Sequence, residues 1–559
     1  MDQVILAIVG LPVLSAVLTY LLAPQFGQNV ARISVAISIV VFLLASVLLA
    51  FAVFGEVDPH LELGDGWAIL LVDPLSTLML FVVTGISLVV HVYSVRYMAE
   101  EEGYARFFAL LDLMTFALLL MVSAGDLVTL LVAWHLVGIL LYLLLGQDTR
   151  SLSAQRYAQW TLLTYRIGDL PLLLAAVLLF QAYETWSLTE IFAQIAEDSS
   201  ARTMFDLPLI EVVGALVAFS AFARSAQFFL HTWLPYTMAG PTPVSALMHA
   251  GIVNAGGFLL NRFAPVLIAT DSVLHWVFVV GLVTAVIGSV LMLAQSDIKK
   301  ALGYSTMGQM GFMIMECGVG AFSLAVYHLI AHGLFKGTLF LGAGGVIGEA
   351  RANDGVPKDH LYTFIIERRP ARTRQPWLVM AAITLAVPMT ILFLAHWLVA
   401  QDFFQKQGAV VLLFFGWVTG AQLIFATYRM QTENIWRLMT LILFSFAVVV
   451  VGYTLISHAF DLFLYPDPVF RAQLYATAGI DIIWFDALVV LVTAFVILGW
   501  LMKYYAEQKG NSGLASSHGI RRLFFTVVTR EFFLIEFYSR VSRWLVALAT
   551  RINVVLRWS

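Results

Sequence analysis

The ten residues from Tyr327 to Lys336 read YHLIAHGLFK, and they sit inside an apolar run from about Ala321 to Val346 that is long enough to cross a bilayer. His328, His332 and Lys336 recur every fourth residue. A helix puts them on one face, spread over roughly 12 Å at a rise of about 1.5 Å per residue. Three titratable groups in hydrocarbon are costly unless they face water or one another. The plain reading is three satisfied polar residues in a bundle interior. The row, taken with further polar residues in neighbouring apolar segments, favours a proton relay, because imidazole exchanges its proton near neutral pH.

The rest of the chain suits a membrane setting. Of its 559 residues, 61% are hydrophobic and 12% charged, with a mean hydropathy of +0.89. That balance belongs to a polytopic helical membrane protein rather than to a soluble fold. The net charge is only -4 and no basic domain stands out, which argues against nucleic acid as a partner. Cys317 is the single cysteine, so an intrachain disulfide and a multi-cysteine metal site are excluded, and packing is its expected role. The opening MDQVILAIVGLPVLSAVLTYLL lacks a basic leader and runs too long for a signal core, so it reads as a first spanning helix.

Apolar segments recur to the end and predict an all-α polytopic membrane protein of about sixteen transmembrane helices. The last, near 523–550, carries Arg530, Glu531, Glu536 and Arg540, so it either spans or lies flat at the interface. Basic residues fall in alternate connections: Arg96 with Arg106, Arg150 with Arg156, Lys299 with Lys300, and a basic stretch at 348–375. The connection 55–73 holds Glu56, Asp58, Glu62 and Asp65 and no Lys or Arg. This asymmetry places the N-terminus and the 55–73 loop outside and the 348–375 loop in the cytoplasm. Two helices are interrupted by proline. One break lies between His231 and Pro243, through Pro235 and the run AGPTP; the other is at Pro388, eight residues before His396. Such breaks are tolerated at membrane depth only where protein or water satisfies the freed backbone, and paired breaks suggest an inverted repeat.

Further buried polar residues flank the first break. Trp134-His135-Leu-Val-Gly138 is followed by Tyr165-Arg166-Ile-Gly-Asp169, in which Arg166 and Asp169 share a helix face and can pair. Arg224-Ser-Ala-Gln227 comes next, then MAGPTPVSALMHA, ending on His249 and Ala250, and SDIKKALGYSTMGQMGF from Ser296 to Phe312. Those last two segments resemble the signatures of the proton-translocating antiporter-like subunits, the family of the large membrane-arm subunits of respiratory complex I and of the Mrp cation/proton antiporters. The stretch VDPLSTLMLFVVTGISLVVHVYSVRYMAEEEGYARFFA resembles the distal complex I subunit in particular. The resemblance covers roughly residues 70 to 430. It implies two inverted five-helix bundles with broken helices and a polar axis along the membrane midplane. It divides the chain into N-terminal helices (1–105), a first antiporter-like half (106–268), a second half (269–430, with the 348–375 loop) and C-terminal helices (431–559).

Carried over residue by residue, His249, His328, His332 and Lys336 match the family. Three positions depart from it. His135 stands where the family has glutamate, Arg224 where it has lysine, and His396 where it has lysine after the second break. Histidine still titrates, whereas arginine is effectively never deprotonated, so Arg224 can be a fixed charge but not a relay site. Together with Arg166 and Asp169 these residues form the expected proton pathway. A purely scaffolding first half is the alternative. The pair His328 and His332 has metal-ligand spacing, yet it lacks a carboxylate on its own helix and has Lys336 beside it, so no metal is expected. Tyr304, Ser305, Thr306 and Gln309 either hold water along the path or pack between helices.

The connection from Lys503 to Arg522 is short and leaves no room for the lateral helix of a distal complex I subunit. What remains is similar to the membrane subunits of the DAB inorganic carbon transporters, the DabB family. That resemblance implies a non-enzymatic transport subunit in the cell inner membrane. It implies no cofactor in this chain, and a cytoplasmic DabA-like partner that resembles a zinc carbonic anhydrase. A membrane subunit of a complex I-like or hydrogenase-type oxidoreductase and an Mrp-like antiporter are the alternatives. Protons and sodium both remain open as the ion.

Overall fold

A backbone in hydrocarbon must satisfy its own N–H and C=O groups, which within one segment only a helix does. The computed structural model describes residues 2–55, 61–63, 69–295, 298–352, 458–479 and 526–556, with isolated positions between 380 and 456 and at 523. The long helices of the first part are α1 (Asp2–Phe26), α2 (Val30–Val53), α3 (Pro74–Tyr97), α4 (Tyr104–Val122), α5 (Leu127–Leu145) and α6 (Leu152–Tyr183). A short α7 (Leu188–Glu197) leads to α8 (Leu209–Arg224), α9 (Thr242–Ala250), α10 (Ala255–Arg262) and α11 (Ala264–Leu267). Then come α12 (Val273–Ala294), α13 (Ile298–Gly318), α14 (Phe322–Ala352), a short α15 (Pro468–Thr477) and α16 (Leu534–Leu556). Among the described residues eight segments are long and apolar enough to cross a membrane, the first of them, Asp2–Val53, being α1 and α2 in series. The chain is thus a multi-pass, helical membrane protein. Leu14, Leu43, Val89, Leu170 and Val286 point outward, each at least 50% exposed, as lipid-facing side chains do.

The connections gather at two ends. At one, β1 (Leu61–Leu63) and β2 (Leu70–Val72) form a small antiparallel hairpin within what reads in sequence as a plain loop. Asp126 caps α5 by accepting from the Thr129 N–H at 2.8 Å and also accepts from the Ile69 N–H at 2.8 Å, which ties the hairpin to that helix. At the other end, Arg106 donates to the Gln147 carbonyl at 2.8 Å and Arg150 pairs with Glu102 at 3.0 Å. The basic connections of the first six helices therefore share one end, as their alternation in the sequence predicts.

The first interruption is more extensive than the sequence suggests. Helix α8 stops at Arg224 rather than near 231. Ala226 and Phe229 take left-handed backbone, residues 234–239 form a tight turn of 3-10 helix, and Pro241 and Pro243 open α9. The segment expected as one helix over 243–268 breaks again at Gly251. Side chains collect the freed peptide groups. Ser225 donates to the Val253 carbonyl at 2.7 Å, Phe228 N–H to Thr284 at 3.0 Å, and Asn254 to the Ala250 carbonyl at 2.8 Å. Helices α7 and α15 go unanticipated in the sequence; the helix expected from 523 is helical at 523 and 526–529, then breaks in a turn at 530–533 before α16. The second interruption at Pro388, His396 and most of the 348–375 loop lie outside the described residues.

Glycines bring α12 and α13 almost into backbone contact. A Cβ on Gly281 would lie 2.7 Å from the Gly311 carbonyl oxygen, and one on Gly311 would lie 2.7 Å from that of Gly281. Gly320, at φ 80°, then makes the sharp turn into α14. Replacing Gly311 with valine forces the two helices apart, at a cost of ~1–3 kcal/mol by analogy with overpacked cores. The purified Gly311→Val protein should melt below wild type, while Gly10→Ala, where a Cβ meets nothing within 4 Å, should not.

Candidate functional site

Two buried polar clusters lie on either side of the interrupted segment. The first is built on α5, α6 and α8. Asp169 of α6 is its centre: Oδ2 accepts from Arg166 at 2.9 Å and faces His135 Nδ1 at 3.1 Å, while Oδ1 accepts from Arg224 at 3.2 Å. The pairing of Arg166 with Asp169 that their spacing suggests is present. His135 and Arg224 meet through Asp169 rather than directly. Arg166 also lies against both ring nitrogens of His135 and donates to its carbonyl. Gly138 makes room for this, since a Cβ there would sit 2.6 Å from the Arg166 guanidinium.

Arg224 is 1% exposed, and its environment explains how a permanent charge is housed there. The guanidinium carbon lies 4.0 Å from the Tyr165 ring centre and 4.4 Å from that of Trp134, while Nη2 donates to the Trp134 carbonyl at 2.7 Å. Two aromatic faces, a carbonyl and a carboxylate replace water around it. His135 is the open member of the cluster, with its side chain 51% exposed.

The second cluster joins α9, α13 and α14. Lys336 is 1% exposed and donates to Ser305 at 2.9 Å and to the Leu302 carbonyl at 3.3 Å. His328 Nδ1 meets the Glu316 carboxylate at 3.0 Å, and its Nε2 meets the Gln309 amide at 2.9 Å. An amide can accept or, turned over, donate, so both tautomers of His328 are served. The rings of His328 and His332 lie 6.3 Å apart. His249 stacks on Phe340, centroids 4.1 Å apart. His332 is within electrostatic reach of His328, Lys336 and His249. Both ring nitrogens of His249 and of His332 are buried and meet no protein partner among the described residues.

The fold therefore brings His328, His332, Lys336 and His249 together, and separately His135, Arg166, Asp169 and Arg224. Two members escape the sequence reading. Glu316 comes from α13, and nothing in its local pattern MIMECG announces that α14 supplies it with an imidazole. His231 is fully buried in the break between the clusters, stacked on Phe228 with centroids 5.7 Å apart and 6.3 Å from the Tyr304 ring; both its nitrogens are also unpartnered. A histidine inside an interrupted apolar run was the available signal. Among the described residues no group of three or more His, Cys, Asp or Glu could hold a metal ion.

The first cluster makes a stability prediction. Asp169→Asn leaves two guanidiniums without their carboxylate, one of them wholly buried, and should cost ~3–5 kcal/mol. Arg224→Met keeps volume, and leaves Asp169 paired with Arg166, so it should cost less. Melting temperatures of the two purified variants rank them.

Residues 124–422 match the family described as NADH:quinone oxidoreductase/Mrp antiporter, transmembrane, and residues 68–108 match the N-terminus of complex I chain 5. The chain is 57% identical over 549 residues to the probable inorganic carbon transporter subunit DabB1 of Halothiobacillus neapolitanus, with 98% of each chain covered. It is 35% identical over 355 residues to NADH-quinone oxidoreductase subunit L of Rickettsia typhi, covering 61% of this chain and 54% of that one. For the chloroplastic NAD(P)H-quinone oxidoreductase subunit 5 of Carpenteria californica the identity is 37% over 335 residues, covering 60% and 42%. The fold is shared with a chain of the Mrp complex from a Dietzia species, at a TM-score of 0.57 and 23% identity over 99% of this chain and 63% of that one. A chain of the archaeal membrane-bound sulfane sulfur reductase gives a TM-score of 0.59 at 19% identity, covering 86% and 100%.

Proposed function

Because the chain belongs to the family of complex I- and Mrp-like antiporter subunits that includes the DabB inorganic carbon transporter subunits, we propose that it conducts protons across the cell inner membrane to drive inorganic carbon accumulation by a cytoplasmic partner. The observation that carries this reading is likeness to a DabB1 subunit over 98% of both chains. The partner is a DabA-like, carbonic-anhydrase-like subunit that holds zinc and hydrates CO2 to bicarbonate. The chemistry of hydration lies there, and this chain supplies the ion flow.

The pathway runs along α14. Lys336, His332 and His328 are the relay on that helix, His249 links it to the interrupted segment of the first half, and His396 is its further member within the second half. Unpartnered imidazole nitrogens at His249 and His332 are where water would carry the proton across the gaps. His328 can exchange a proton with Glu316 at Nδ1, while Gln309 hydrogen-bonds and orients its Nε2. In the first half, Arg224 and Arg166 are fixed charges that share Asp169, and His135 is the member of the path beside them. About sixteen transmembrane helices in two inverted five-helix bundles, divided at 106–268 and 269–430, complete the arrangement.

Likeness of 35–37% to quinone oxidoreductase subunits favours a second reading, a pumping subunit in a redox complex. Co-purification of an iron–sulfur protein in mild detergent would select it. Expressed with its partner in a host lacking carbonic anhydrase, the wild-type chain should restore growth in air. Lys336→Ala should abolish that growth, and Leu339→Ala should not. Full rescue by Lys336→Ala ends the conduction reading.

A further inference from the structure

A third buried ionisable centre lies outside both clusters, among the N-terminal helices. His91 of α3 and Asp112 of α4 are 0% and 2% exposed, and His91 Nε2 lies 3.1 Å from Asp112 Oδ1. Asp112 Oδ2 also accepts from Ser15 of α1 at 2.8 Å and from Ser34 of α2 at 2.9 Å. One carboxylate thereby joins four helices.

The donors around this pair can be counted. Thr115 donates to the Leu111 carbonyl at 3.0 Å, so the Ser87 hydroxyl, 2.6 Å from Thr115, donates to it. Ser87 then has no hydrogen left for His91. His91 Nδ1 lies 2.8 Å from the Ser87 carbonyl oxygen, which can only accept, so Nδ1 carries a hydrogen. At the other nitrogen, a bare Nε2 facing an ionised carboxylate would set lone pair against lone pair. One further hydrogen must therefore lie between Nε2 and Oδ1, as imidazolium with carboxylate or as imidazole with carboxylic acid. A cavity with room for one water borders Asp112, Thr115, Ser87 and Thr84 on one side and Ser38 of α2 on the other.

We propose that His91 and Asp112 form a third proton-exchange site, which passes its shared proton to water in that cavity and takes it back. On release the O–H or N–H bond breaks and the proton goes to the water. Ser15 and Ser34 continue to donate to the carboxylate left behind, so the deprotonated state keeps those two hydrogen bonds and loses the one between Nε2 and Oδ1, which draws the proton back. Few other charges face the pair. On α1 to α4, Asp2, Arg32, Arg96 and Arg106 are exposed, and the hydroxyls of Tyr93 and Tyr104 donate to the Leu341 and Val95 carbonyls. Helix α3 also packs on α9 and α14, and α4 on α5; the titratable groups among their described side chains are His135, Tyr142, His249, Tyr327, His328, His332 and Lys336. Tyr93 and Tyr97, within two turns of His91, hold α14 and α9 through Leu341 and Thr242.

This inference rests on the proton-conducting reading, and Asp112→Asn tests it separately. An asparagine amide donates to a neutral His91 Nε2, and its oxygen accepts from Ser15 and Ser34, so each of the three partners stays bonded; what goes is the exchangeable proton and the second contact of Ser34, to Oδ1. The complex with this variant, in liposomes, should match wild type in melting temperature and lose proton flux several-fold, with a flattened pH profile. Infrared difference spectra of the wild type between acid and alkaline pH should show a carboxyl band that the variant lacks. Wild-type flux and pH profile in Asp112→Asn overturn the proposal, as does failure of that variant to fold, since the donor count requires an amide to fit. Lys336→Ala in the same liposomes separates the cases: if it too conducts normally, the conduction reading has failed.

Discussion

An interrupted helix inside a membrane leaves peptide groups that water cannot reach, and each must find a partner in the protein. The two polar clusters beside the break are arranged around that requirement. Between Arg224 and Ala255 the chain abandons helix twice, and Ser225, Thr284 and Asn254 take up the loose ends. The same break lets α8 deliver Arg224 to one cluster while α9 delivers His249 to the other. A continuous helix would have set both residues on one rod and kept them to one neighbourhood.

The two clusters solve the problem of buried charge differently. Around Asp169, one carboxylate is set against two guanidiniums, and aromatic faces take part of the load that water would carry. Arginine holds its proton throughout, so this cluster is an electrostatic fixture with a single open imidazole. Around Lys336 the partners are hydroxyls, carbonyls, an amide and a carboxylate shared with His328. The hydroxyl, the amide and the carboxylate among them can reverse their donor and acceptor roles, which a backbone carbonyl or a guanidinium cannot.

Much of this is legible in the chain itself, and the limits have physical causes. Spacing alone put His328, His332 and Lys336 on one face, because four residues are close to one turn. Arg166 and Asp169 were readable for the same reason. Proline announced the break but not its length, since the left-handed residues Ala226 and Phe229 carry no signature of their own. Contacts between distant helices leave no local trace. Glu316 reaching His328, and His91 reaching Asp112 with serines from α1 and α2, depend on which faces meet, and an apolar background conceals single polar residues. The hairpin at 61–72 is too short to show a strand's alternation.

The near-touching backbones of α12 and α13 restrict how the molecule can work. With Gly281 set against Gly311 and Gly288 against Gly308, the two backbones interlock at those points and form one plate. Ser305 and Gln309 are mounted on that plate, opposite Lys336 and His328. A change in the spacing between these side chains is therefore left to rotamer changes or to α14 shifting against the plate.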